Sequence, residues 1–158
     1  MNRMFIGLCL GSVSLLAGAP TTSTNGGGQS SQAARLLREI KADAAQVRSA
    51  AVRWDNLAES SSAKWIDYDR QWNEIRPSVE DMQMKLARLE RIQSALSPAE
   101  RTELDQTKPL IGEIQSGTHQ LLTLLDKPGV QTTDAKFKTY AGSLRGEADK
   151  IEKLAPAS

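Results

Sequence analysis

An all-α fold, an up-down-up-down antiparallel bundle of four long helices, is what this sequence predicts, on three observations. From residue 33 onward, apolar residues recur at alternating steps of three and four, the signature of helices packed on near-antiparallel neighbours. Breaks at Ser60-Ser61-Ser62, at Ser97-Pro98 and at Lys127-Pro128-Gly129 cut that pattern into four lengths. The connections are short, and short connections make consecutive helices antiparallel neighbours.

The chain has 158 residues, a length suited to one domain. Its beginning reads as an address. Met1-Asn2-Arg3 carries one positive charge, Met4 to Leu16 is apolar apart from small residues, and Ala17-Gly18-Ala19 offers a signal-peptidase site. The apolar run is shorter than the roughly 20 residues that cross a bilayer. Residues 1–19 are therefore expected to be a signal peptide, and the protein to be exported, periplasmic or extracellular. Pro20 disfavours cleavage directly after Ala19, which leaves the position of the cut open. Residues 20–32, rich in Thr, Ser and Gly, read as a flexible linker.

Loss of the signal removes Cys9, the only cysteine, so no disulfide framework is available and stability must come from the core. It also takes Arg3 from the 20 basic residues, leaving 19 against 19 acidic ones. Nucleic-acid binding needs a basic face and a membrane anchor needs a Lys/Arg cluster. Neither is present.

Helix one is expected over about 32–59. Ala33, Leu37, Ile40, Ala44, Val47, Ala51, Trp54 and Ala58 form its seam, half of it alanine, so a neighbour can approach closely. At 1.5 Å per residue it is about 42 Å long. The seam resumes at Trp65 and runs through Tyr68, Trp72, Ile75, Val79, Met82, Leu86, Leu89 and Leu96, with Gln93 as its polar position. Two readings stay open here. The three serines can form the turn, with helix two over about 62–96 and Pro77 kinking it. Alternatively one helix runs to residue 75 and reverses at Arg76-Pro77, where Pro lacks a backbone donor. The serine turn is preferred because it gives helices of similar length.

Trp65, Asn73-Glu74-Ile75, Val79, Met82 and Leu86-Ala87-Arg88-Leu89, continuing through Pro109-Leu110 to about Leu125, resemble a small group of uncharacterised, signal-bearing bacterial helical proteins. In those relatives the turn falls just before the tryptophan, and Pro77 is a departure from them. The resemblance implies a helical fold and an exported address, and carries no activity.

Ser97-Pro98-Ala99-Glu100 is a capping box with proline at the first helical position, opening helix three over about 98–126. Leu104, Thr107, Ile111, Ile114, Thr118, Leu121 and Leu125 form its seam. Gly112 and Gly117 each weaken it by about 1 kcal/mol relative to alanine. Thr133 or Asp134 caps helix four, over about 133–154, with Phe137, Tyr140, Leu144, Ala148 and Ile151 inward. The bundle thus occupies 33–155.

Antiparallel packing gathers residues that the linear sequence separates. Trp54, Trp65, Tyr68, Trp72, His119, Phe137 and Tyr140 all fall at one pole. Three uses compete for it: a core plug that fills a bundle kept narrow elsewhere by alanine, a cleft for an apolar, sugar or peptide ligand, or an exposed patch for unfolded clients or a partner helix.

Other chemistries find no residues to carry them. A single histidine cannot build a di-iron site, C-x-x-C-H is absent, and a Met82–His119 haem pair is out of register by about 9 Å. No nucleophile elbow or phosphate loop occurs. The expectation is accordingly no catalysis, cofactor or metal, and a binding or structural role toward an unidentified protein or small apolar ligand. Assembly between chains is left open. The runner-up is a periplasmic chaperone-like or stress accessory protein holding apolar clients on the aromatic pole. Leu96-Ser97-Pro98-Ala99-Glu100-Arg101 is similar to the L-T-x-x-Q-type segments of such chaperones, but with Glu where they have Gln.

Overall fold

A computed structural model describes residues 26–60, 64–126 and 135–155 of the chain. These form four α-helices: α1 (Gly26–Glu59), α2 (Trp65–Arg91), α3 (Pro98–Leu125) and α4 (Ala135–Lys153). A short 3₁₀ turn, Gln93–Ala95, links α2 to α3. None of the described helices is long and apolar enough to cross a membrane.

The heptad seams become the core. All eight seam residues of α1 are buried, joined by Leu36 and Ala50. From α2, Tyr68, Ile75, Val79, Met82 and Leu89 are buried, while Trp72 and Leu86 pack on the core partly exposed. From α4, Phe137, Leu144, Ala148 and Ile151 go inside with Ala141. In the last turn of α3 Leu124 is buried and Leu125 lies at the core's edge.

Cross-helix pairs fix the directions. Arg53 meets Glu74 at 2.7 Å and Lys85 meets Asp43 at 2.5 Å, so α1 and α2 run antiparallel about a reversal between Glu59 and Trp65. This is the serine-turn reading, although Ser61 and Ser62 themselves lie outside the described residues. Arg48 with Glu152 and Arg145 with Asp55 run α4 antiparallel to α1. Lys108 meets Glu90 at 2.6 Å while Trp72 and Arg76 share a groove with His119 and Leu122, so α2 and α3 are antiparallel as well. The helices close unevenly: α1 lies along both α2 and α4, α3 lies along α4, and the α2–α3 seam is the loosest of the four.

Several boundaries differ from the sequence expectation. Helix begins at Gly26, inside the stretch read as linker, because extending an existing helix adds one backbone bond per residue without a new nucleus. The second helix ends at Arg91 and not at 96, because Ile92 (φ −104°, ψ 13°) leaves helical geometry and a 3₁₀ turn follows. Leu96 and Ser97 are then extended, the geometry a residue before proline prefers. At the start of α2 the described helix opens at Trp65 and not at 62, with the Lys64 N–H donating to the Asp67 carboxylate at 2.9 Å. The Thr133 and Asp134 caps and the Lys127-Pro128-Gly129 stop lie outside the described residues, as do residues 1–25.

The capping box at α3 forms as its sequence requires. The Glu100 N–H donates to Ser97 Oγ at 3.2 Å, and the Ser97 N–H donates to Glu100 Oε2 at 2.8 Å. Pro77 sits inside an unbroken α2, on its exposed side. Gly117 has a packing reason that its sequence context does not reveal: a Cβ there would meet Leu144 Cδ2 at 3.2 Å, so the glycine lets α3 and α4 approach.

Away from the aromatics, charged side chains enter the bundle. Lys41 reaches Glu103 at 2.6 Å and donates to the Leu154 carbonyl at 2.7 Å, tying α1 to α3 and to the end of α4. Asp43 and Lys85 are also largely buried. Burial raises the Asp43 carboxyl above its ordinary 3.8, against the opposing hydrogen bond and charge of Lys85.

Candidate functional site

Seven residues define the expected aromatic pole, and the structure divides them. Trp54, Tyr68 and Phe137 have zero exposure. Tyr68 and Phe137 stand edge to face with centroids 5.1 Å apart, and Trp54 and Phe137 do so at 6.0 Å. Edge-to-face contact is the arrangement the ring quadrupoles favour. These three rings, from α1, α2 and α4, plug the core where the alanine-rich seam ends. The Trp54 indole N–H has no acceptor among the described residues. Tyr140 is partly buried against the core, and the Trp65 side chain lies outside the described set.

Trp72 and His119 separate from the plug. Both line a groove of about 270 Å³ along the loose α2–α3 seam. On α2, Trp72, Arg76, Val79 and Gln83 follow at steps of four, three and four, which places them on one face. On α3, Gln115, Thr118 and Leu122 follow at steps of three and four, with His119 beside Thr118 at the edge of the same face. Trp72, Val79 and Leu122 supply an apolar floor, and His119 is exposed at the edge, as its place one step past the seam implies.

The electrostatics of this groove are simple. Arg76 donates to Glu80 at 2.8 Å, and that contact holds the guanidinium pKa up. The two charges at the rim therefore neutralise one another. Thr118 is turned back to the Ile114 carbonyl at 2.6 Å. The side chains of Gln83, Gln115 and His119 make no hydrogen bond to another described residue. Their donors and acceptors remain available.

A larger groove, about 570 Å³, runs between α1 and α2 past Gln46, Ser49, Asn73 and Pro77, but its polar groups are mostly committed. Ser78 donates to Gln46 at 3.2 Å, and Arg53 donates to Gln71 and Glu74, each at 2.7 Å. No cluster of three His, Cys, Asp or Glu side chains able to hold a metal occurs among the described residues.

The sequence brought Trp72 and His119 to one pole without showing that they face the same seam. It gave no role to Gln83 or Gln115. Their signal was present as the continuation of the Trp72 stripe along α2 and the His119 stripe along α3. No protein-family model, curated protein or solved structure matches the chain.

Proposed function

We propose that this chain is an exported protein that works by binding, without catalysis, and that its ligand-facing surface is the α2–α3 groove. The export part rests on the apolar Met4–Leu16 run and the Ala17-Gly18-Ala19 site. The binding part rests on one observation: a half-buried Trp72 beside the uncommitted Gln83, Gln115 and His119 side chains, on the seam the bundle closes least. An aromatic residue with a few free polar groups around an apolar floor is the usual composition of a small-ligand site.

Burial of Trp54, Tyr68 and Phe137 weighs against a client-holding role for the whole aromatic pole, since a client surface needs its rings outside. Two experiments test the reading. Expression of the full chain in a bacterial host should deliver protein lacking the first segment to the cell envelope. Screening neutral and apolar small molecules against the ¹⁵N-labelled protein should then move signals of Trp72, Gln115 and His119 together. Shifts gathered instead around Gln46 and Asn73 would place binding on the wrong face of α2.

A further inference from the structure

Resting on the groove as the binding surface, we infer that its ligand is a neutral saccharide of one or two rings. The charge argument comes first. Arg76 Nε and Glu80 Oε1 pair at 2.8 Å, so these two opposite charges leave no net charge at the rim to attract an acid or an amine. What it offers is an indole, two carboxamides and an imidazole. Carboxamides both donate and accept, and an imidazole N–H donates, which suits hydroxyl groups that do both. The indole presents an apolar face with a polar edge, which suits a ring whose C–H face is apolar and whose rim is hydroxylated.

Size and surroundings narrow the class further. About 270 Å³ lies just under the roughly 300–1,000 Å³ of drug-sized sites, enough for one or two pyranose rings. An extended peptide is captured chiefly through free backbone groups along a strand edge. Both walls here are helices, whose backbone groups, the carbonyls opposite Pro77 and Pro109 apart, are bonded within α2 and α3 and offer no strand edge. A partner helix needs an apolar stripe several turns long. This floor has only Trp72, Val79 and Leu122.

The test is a titration of the ¹⁵N-labelled protein with maltose, cellobiose and diacetylchitobiose, using an acetylated, amidated tetra-alanine peptide as the neutral comparison. At least one disaccharide should shift the Trp72 indole N–H and the Gln83 and Gln115 carboxamide signals with millimolar or tighter affinity. Gln115→Ala and His119→Ala, both at exposed positions, should each weaken that binding about threefold to tenfold, the size of one net hydrogen bond. Trp72→Ala should abolish it. No shift with any disaccharide overturns the inference. Shifts with the peptide alone overturn the saccharide class and leave the groove as the binding surface. Shifts confined to the α1–α2 groove overturn both.

Discussion

Tyr68 and Phe137 meet edge to face, their ring planes 89° apart and their centroids separated by 5.1 Å, and Trp54 joins Phe137 at 6.0 Å. Phe137 is thus the ring on which α1, α2 and α4 converge. Its contacts decide whether the aromatic pole is solid.

Phe137→Ala removes that shared ring from a site with zero exposure, and should cost about 3–5 kcal/mol. Phe137→Leu retains much of the volume and should cost far less. Guanidinium unfolding followed by circular dichroism measures both. The emission of Trp54, read in a Trp65→Phe/Trp72→Phe background, provides a local check. It should be blue-shifted and protected from acrylamide in the parent, and shift to the red in the alanine variant. Equal stability in parent and alanine variant would mean that the plug contributes nothing to the bundle.

The Asp43–Lys85 pair should respond asymmetrically to its two single substitutions. Burial raises the Asp43 carboxyl above 3.8, so the folded chain binds that proton more tightly than the unfolded chain does. By linkage, this group's stabilising contribution is fully present below 3.8 and declines as pH rises toward the raised folded value. Asp43→Asn removes the charge, keeps an oxygen for Lys85, and should leave neutral-pH stability equal or higher. The decline across that acid window should disappear with it. Lys85→Met instead strands a largely buried carboxylate and should cost about 3 kcal/mol. Urea midpoints from pH 3 to neutrality for both variants and their combination test the sign, and the combination should return close to the parent.

These cases show what the sequence made legible. The seams of α1 and α4 could be read directly, because a buried helical face leaves a three-four spacing of apolar residues. Asp43, Glu103 and Lys41 could not. Charged residues are ordinarily solvated, and only the packed neighbours reveal that these are enclosed. The start of α1 was hidden because Gly26-Gly27-Gly28 has linker composition, whereas its helical state comes from attachment to a formed helix. For the candidate groove, polarity itself concealed Gln83 and Gln115. Nothing local distinguishes a glutamine facing a groove from one facing open water.

Two glycines of α3 should respond in opposite directions to alanine. Gly112 is exposed, with open space where a Cβ would go, so Gly112→Ala gains helix propensity alone, about 0.5–1 kcal/mol. At Gly117 the new methyl would press on Leu144 at 3.2 Å, and Leu144 is itself buried with little room to give. Overpacking there should outweigh the propensity gain and leave Gly117→Ala about 1 kcal/mol less stable. Thermal unfolding of the two variants side by side measures the contrast. A stabilised Gly117→Ala would show that α4 moves away without penalty.

Pro77→Ala should stabilise the protein. Proline in a helix interior has no N–H for the carbonyl four residues back, here that of Asn73, and its ring crowds that carbonyl. The cost in an interior turn is about 3 kcal/mol relative to alanine. Alanine also frees the unfolded chain, which returns about 0.4–1 kcal/mol of that difference. Pro77 lies on the exposed side of α2, where water can serve the Asn73 carbonyl, so part of the penalty is already relieved. The remaining gain is about 1–2 kcal/mol, visible as a higher denaturant midpoint with an unchanged slope. Hydrogen exchange adds a direct readout, because the new amide at position 77 should be protected together with its neighbours in α2. A loss of stability would instead mean that α2 needs the local bend proline imposes to lie along α1. The side chains of Trp72 and Val79 on either side of it would then be placed in the groove by that bend.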